Sequence, residues 1–337
     1  MMDRPLEICI LAAGLGKRLK STRPKVLQTI AGRPMLSHLL DTVSRLDVGT
    51  VHVVIGSGAD LVRREYEGRD VNFVLQSEQL GTGHAVMQAL PDVADDARLL
   101  ILLGDAPLVR AETLARLVSV DAPLGVLTVD LDNPFGYGRI LRCPDGNIDR
   151  IVEERDCTDE QRRIAEINTG VMVADAGSLR RWLDQTGRDN DQHEYLLTDI
   201  VSIARREGED VAAVKTDDPG EVRGVNTMVQ LAMLEREYQG RVAKQLMEEG
   251  VQLMDPARID VRGSLKAGRG SRIDVNCVFE GECRIGEDVT IESGCVLRDA
   301  EVGAGTRIRA GSWVEGAVGQ GQVIGPHARI MRDCEME

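Results

Sequence analysis

Residues 11–25 read LAAGLGKRLKSTRPK, and this stretch decides the fold. It is entered through Glu7-Ile8-Cys9-Ile10-Leu11, a short run rich in β-formers, and a helix-like pattern follows it. A strand is therefore expected to run into a tight turn at Gly14-Leu15-Gly16, with cations just beyond. Backbone N–H groups in such a turn can approach a polyphosphate closely. The turn is not a P-loop, because no GK[ST] ending follows. It is not a dinucleotide fingerprint either, because Leu19 stands where the third glycine belongs. Arg18 can clamp phosphate oxygens and Lys25 can add a point charge. A solvated surface cation is the plain alternative for each.

Outward from this turn, strand and helix signals alternate over residues 1–226. Val51–Ile55 and residues 99–103 are apolar runs bounded by turn residues, as buried parallel strands require. Met35, Leu36, Leu39, Leu40, Val43 and Leu46 share one face of a helix opened by Pro34. Residues 82–89 and 196–204 read as helices too. The alternation predicts a doubly wound, Rossmann-like α/β domain with a mixed, mainly parallel sheet. A β-rich insertion is expected over 135–174. Residues 227–250 read as a linker helix, with Leu231, Leu234, Tyr238, Val242 and Leu246 at helical spacing and Gly250 as its stop.

Beyond Gly250 the period changes. Apolar residues recur every six positions at Ile273, Phe279, Ile285, Ile291 and Leu297. After a five-residue step come Val302, Ile308 and Val314, then Ile324 and Ile330. Six is neither a helical nor a strand period; it marks a hexapeptide β-helix over 251–337. The slip between Val314 and Ile324 predicts one irregular or bulged turn. Exposed solenoid ends need a cap or a neighbour, so self-association is expected.

Composition narrows the classes. At 337 residues two domains are the better prior. Aromatics are 3%, so the core must be aliphatic. A formal charge of −14 argues against a nucleic-acid partner, which would need clustered cations. The seven cysteines are odd in number and form no CxxC pair, so they read as reduced residues of a cytoplasmic chain. No signal peptide and no membrane-length apolar run is visible.

Three further stretches carry chemistry. In residues 76–85, QSEQLGTGHA, the Gln76 amide can read a base, and Gly81 and Thr82 allow backbone contact. His84 reads best as a structural or capping residue. In Leu103-Gly104-Asp105, the carboxylate ends a central strand and faces the switch-point crevice. One carboxylate suits Mg²⁺, which keeps substrate phosphates and waters as ligands. A turn aspartate is the bland alternative. Gly138, Glu153, Asn168, Thr198 and Asn226 lie in separate short motifs that are ordinary singly. Together they offer the amides, carboxylate and hydroxyl that bind sugars.

LAAGLGKRL, RPKVL, QLGTGHA, GDAPL, GYGRI, IVEE, EINTG, YLLTDI and GVN then stand in order along the chain. In this the sequence resembles the bacterial bifunctional N-acetylglucosamine-1-phosphate uridylyltransferase/glucosamine-1-phosphate acetyltransferases. The resemblance implies a left-handed parallel β-helix, a homotrimer assembled through it, and no membrane insertion. It implies UTP and N-acetylglucosamine 1-phosphate as substrates. It implies nucleotide contacts from Leu11, Ala12, Ala13, Gly14, Lys25, Gln76, Gly81 and Thr82. Arg18, Lys25 and Asp105 would be catalytic, and Asp105 and Asn226 would hold Mg²⁺. Sugar contacts would come from Leu103, Gly104, Asp105, Gly138, Glu153, Asn168, Thr198 and Asn226. Two departures stand out: Lys17 where the family commonly has Thr, and Leu103 where it often has Tyr. Arg332 matches the start of the acetyl-transfer site, and nothing of that site follows it, so acetyl transfer is expected to be absent. Another sugar-1-phosphate nucleotidyltransferase, or a non-catalytic regulatory homologue, are the rival readings.

Overall fold

A computed structural model describes residues 4–190 and 192–331. Arg332 and Cys334 lie outside the described residues. The chain divides into two compact units: the residues up to Gln28 with Met35–Thr227, and Thr29–Pro34 with the chain from Met228 onward.

The first unit is a nine-stranded sheet flanked by helices. Its first strand, β1 (Leu6–Ala12), leads into two single 3₁₀ turns at Lys17–Leu19 and Lys25–Leu27. No α-helix follows residues 11–25 directly, which corrects the expectation: the second 3₁₀ turn is followed by a tight turn with Ala31 at φ +50° and Gly32 at φ +74°, and the first helix starts only at Met35. A small hairpin, β2 (Thr29–Ile30) and β3 (Arg33–Pro34), belongs to the second unit. The chain then returns as α1 (Met35–Val43), β4 (Val51–Ile55), α2 (Ala59–Glu65), β5 (Asn72–Leu75) and α3 (Thr82–Ala89). Next come β6 (Arg98–Leu103), α4 (Ala111–Val118) and β7 (Leu124–Asp130). The hairpin β8 (Arg139–Arg142) and β9 (Ile148–Val152) precedes β10 (Glu166–Asp175). The unit closes with α5 (Ala176–Leu183), α6 (Asp199–Arg206) and β11 (Val211–Thr216).

Strand order is β11-β7-β10-β6-β1-β4-β5. β6, β1, β4 and β5 are mutually parallel, whereas β10 runs antiparallel to both neighbours, β6 and β7. The expected insertion thus ends earlier than read: β8 and β9 form it, and β10 re-enters the main sheet. Both faces are covered. Cys9, Val54, Leu99 and Ile101 face one core, and Ile8, Ile10, Val53 and Leu100 face the other. Two-sided burial explains why these strands are continuous apolar runs. Parallel direction also puts the carboxyl ends of β6, β1, β4 and β5 on one edge.

In the second unit α7 (Met228–Glu248) packs on a stack of short parallel strands. Its buried line is Leu234, Gln239, Ala243 and Leu246: Leu234 and Leu246 keep their predicted places, and between them the line moves by one residue, so that Tyr238 and Val242 are only half-buried. Gln239 takes the inner place because its amide accepts from Val261 N and donates to Val261 O, both at 2.8 Å. One face of the stack is β12 (Gln252–Leu253), β14 (Arg272–Ile273), β16 (Thr290–Ile291), β18 (Arg307–Ile308) and β20 (Val323–Ile324). The other strands are β13 (Ile259–Ala267), β15 (Cys277–Ile285), β17 (Val296–Val302), β19 (Trp313–Val318) and β21 (Arg329–Ile330).

The register explains the slipping period. Ile259 pairs with Cys277 and Val278 with Val296, but Val296 pairs with Trp313 and Trp313 with Arg329. Coils shorten along the stack at two register shifts, between Glu280 and Arg284 and between Arg298 and Ala300. The predicted irregular or bulged turn is the second of these shifts. Val318, which pairs with Val302 and is 6% exposed, fills the inward position that the six-residue count skipped.

Candidate functional site

Three strand ends define the site. After β1, residues 13–16 turn across the edge; after β5 comes Gln76; after β6 come Gly104 and Asp105. Between them lies a cleft of about 370 Å³, a size suited to a small ligand. Its wall includes Leu11, Ala12, Ala13, Gly14, Lys25, Gln76, Gly81, Thr82, Leu103 and Asp105. The structure brings all the sequence-predicted nucleotide residues together here. A Cβ at Gly14 would meet no protein atom within 4 Å, so packing of the protein does not require glycine there.

Gly81 is different. Its φ is +113°, and a Cβ would lie 2.4 Å from the carbonyl oxygen of Tyr195. Tyr195 N donates to Leu80 O and Gly83 N donates to Tyr195 O, both at 2.8 Å. This pairing pins the 80–83 turn and delivers α3 to the cleft. Thr82 Oγ1 accepts from Leu197 N at 3.1 Å, so the hydroxyl holds the same clamp. Gln76 is 3% exposed, and its side-chain nitrogen donates to Gly81 O at 3.2 Å.

Lys25 sits at the start of its 3₁₀ turn. Val26 of that turn lies beside Gly104, where a Cβ would come within 3.0 Å of it. This close approach lets Lys25 Nζ donate to Asp105 Oδ2 and, at 2.8 Å, to Asn226 Oδ1. Asn226 is held in place because Val225 N donates to Asp105 O at 2.9 Å. Upstream, the fully buried Glu221 carboxylate accepts from Arg110 Nε at 2.7 Å and Thr216 Oγ1 at 3.2 Å, anchoring the approach. The Asp105 and Asn226 oxygens thus already converge on one cation, the lysine ammonium. One carboxylate and one amide oxygen fit a hard cation that completes its shell with phosphates and water. Among the described residues no group of three His, Cys, Asp or Glu could hold a metal by itself.

A second cluster assembles from the β8–β10 region. Thr198 Oγ1 donates to Glu153 Oε1 at 3.0 Å, and Asn168 N donates to Gly138 O at 2.8 Å. A Cβ at Gly138 would lie 3.5 Å from both Glu153 oxygens. Helix α6 starts at Asp199, three residues later than read, which leaves Thr198 to face Glu153. Burial pushes the Glu153 carboxyl above the ordinary glutamate range; the Thr198 bond opposes this, and Asp156 and Asp199 add to it. Arg18 is not brought to the cleft wall: it is exposed on the Lys17–Leu19 turn. Leu15, Val26, Gln79, Ala85 and Glu194 of the wall escaped the sequence reading, and two of them are polar. Gln79 had a signal, lying inside the glycine-rich stretch, and donates to Gln76 O at 3.0 Å. Glu194 had none, being a loop residue brought in by the Tyr195 clamp.

A glycine turn, a strand-end carboxylate and a cation gathered at the carboxyl edge of a parallel sheet define a class, the nucleotidyltransferases. Consistently, the MobA-like NTP transferase domain matches residues 8–138. The particular family comes from curated relatives. The chain is 50% identical to "Bifunctional protein GlmU" of Azoarcus sp. (strain BH72) over 334 residues, covering 98% of this chain and 74% of the relative. It is equally similar, at 50%, to the protein of that name from Marinobacter nauticus over 335 residues, with the same coverage. A third, from Burkholderia vietnamiensis, is also 50% identical over 334 residues. The chain belongs to the family of bifunctional GlmU proteins.

Proposed function

We propose that the protein transfers a uridylyl group from UTP to N-acetylglucosamine 1-phosphate, giving UDP-N-acetylglucosamine, a cell-wall precursor, and pyrophosphate. The observation that carries this reading is the meeting of Lys25, Asp105 and Asn226 beside a cleft walled by the glycine turn and the Gln76–Thr82 segment. Gln76 and the Gly81 backbone would read the base, and residues 11–14 would follow the nucleotide toward its phosphates. The Glu153, Thr198, Gly138 and Asn168 cluster is the place we assign to the sugar, with Leu103 and Gly104 beside it.

In the reaction a sugar-phosphate oxygen forms a bond to the α-phosphorus of UTP. The bond from that phosphorus to the bridging oxygen breaks, and its electron pair leaves on pyrophosphate. The nucleophile is already an anion, so no side chain need remove a proton. Positioning and charge stabilisation are the work to be done. Lys25 neutralises charge building on the phosphates, and Arg18, exposed on the adjoining turn, is assigned to the pyrophosphate side. Asp105 and Asn226 would hold Mg²⁺, which when bound supplies Lewis-acid neutralisation of phosphate charge.

A panel of nucleotides and sugar phosphates, read by pyrophosphate release, tests the reading. UTP with N-acetylglucosamine 1-phosphate is expected to be the preferred pair. Preference for dTTP, ATP or glucose 1-phosphate would overturn it. We also propose a homotrimer through the coil; a monomer at micromolar concentration in sedimentation would contradict it.

A further inference from the structure

The chemistry above makes no use of His84, yet its surroundings in α3 are specific. Its Nδ1 lies 3.0 Å from the side-chain nitrogen of Gln76, and its Nε2 lies 3.2 Å from that of Gln88. The Gln76 nitrogen is also within 3.2 Å of Gly81 O. A neutral imidazole has one N–H and one lone pair, so it cannot accept at both ring nitrogens. One of the two amides must therefore present its oxygen to the ring, and which one is decided by the surrounding bonds.

Turning the Gln76 amide would set its oxygen against the Gly81 carbonyl oxygen, acceptor against acceptor. Turning Gln88 carries no such penalty, since it makes no other side-chain hydrogen bond among the described residues. The arrangement that satisfies every group has the Gln76 nitrogen donating to Gly81 O and His84 Nδ1. His84 then carries its proton on Nε2, and Gln88 turns its oxygen to that proton. The remaining Gln76 atom, Oε1, is left for the cleft that this residue lines.

An oxygen at that place accepts from the N3–H of uracil and is repelled by the N3 lone pair of cytosine. An amide NH₂ there would do the reverse. We propose that His84 is a specificity-positioning residue: its bare Nδ1 locks the Gln76 amide oxygen toward the base and so selects UTP over CTP. This rests on the reading of Gln76 as a base contact.

The test uses the full chain. Long-range ¹H–¹⁵N spectra of protein labelled at histidine nitrogen, recorded above neutral pH, are expected to show His84 protonated on Nε2 and bare on Nδ1. The opposite tautomer would overturn the proposal. Steady-state kinetics with UTP and with CTP then compare wild type, His84→Phe and Gln76→Ala. His84→Phe keeps a ring beside Tyr195, whose ring centroid lies 6.2 Å away. It is expected to lower the UTP-to-CTP ratio of kcat/KM about tenfold, through a higher KM for UTP, without loss on CTP. Equal losses on both nucleotides would mean a merely structural histidine and would sink the idea. An unchanged ratio in Gln76→Ala would instead remove the base-contact reading itself. If His84→Phe does not fold, the tautomer in the wild-type protein decides.

Discussion

Lys25 is the residue whose loss should be felt most directly. It bridges Asp105 and Asn226 from outside the two apolar clusters that flank the sheet. Lys25→Ala and Asp105→Ala are each expected to lower turnover about a hundredfold, with far-UV circular dichroism unchanged; near-normal turnover in either would contradict the assigned roles. Glu153 makes a pH prediction. Burial raises its carboxyl above the ordinary range, so the folded protein prefers the protonated form. The stability this gives is present below the ordinary glutamate range and is lost as pH rises through the raised value. The carboxylate that the proposed sugar contact uses is in turn lost as pH falls through that same value. KM for the sugar phosphate should therefore climb on acidification, and Glu153→Gln should remove that dependence while raising the melting temperature at neutral pH. A KM limb that persists in Glu153→Gln would refute this. Glu153 and Thr198 are 45 positions apart, and neither motif announces the other. Their meeting was legible only through resemblance, because a side-chain contact across such a distance leaves no local pattern.

At the level of elements, the central strands were legible and the direction of one was not. β1, β4 and β6 are buried on both faces, and that condition writes itself as an unbroken apolar run. β10 is interrupted by Asn168, Thr169 and Gly170, so it reads as part of the insertion, and its antiparallel place between β6 and β7 leaves no local mark. In the middle of α7 the inner face lies one residue beyond the predicted stripe, because a glutamine, polar by type, pairs with the Val261 backbone and counts as core. Gln239→Leu should leave Val261 N–H and C=O without this partner and cost about 1–3 kcal/mol in chemical denaturation; no measurable loss would show the contact to be dispensable. The 80–83 turn depends on backbone freedom. Gly81→Ala places a Cβ against Tyr195 O and forces φ out of its left-handed value. It is expected to weaken UTP binding at least tenfold by calorimetry, since the turn and the start of α3 must both shift. Unchanged affinity would mean the turn does not touch the nucleotide.

On the scale of the molecule, each unit owns its core. Two apolar clusters flank the sheet of the first, and a third runs through the coil and α7 of the second. Calorimetry is expected to resolve two transitions, with UTP and Mg²⁺ raising only the one that belongs to the first unit. A single transition, or a shift of both, would show that the units unfold as one. The coil itself was visible in its six-residue period. The five-residue step and the slip marked where coils shorten, but not that Val318 faces inward there, because it falls outside a six-residue count from Val314. Uridylyl transfer is the reaction proposed for the cleft beside Lys25 and Asp105. Its most direct test is chromatographic measurement of UDP-N-acetylglucosamine formed from UTP and N-acetylglucosamine 1-phosphate, with and without Mg²⁺. Product equal to the pyrophosphate released, and abolished by chelation, is the predicted result; absence of product with Mg²⁺ present would contradict it.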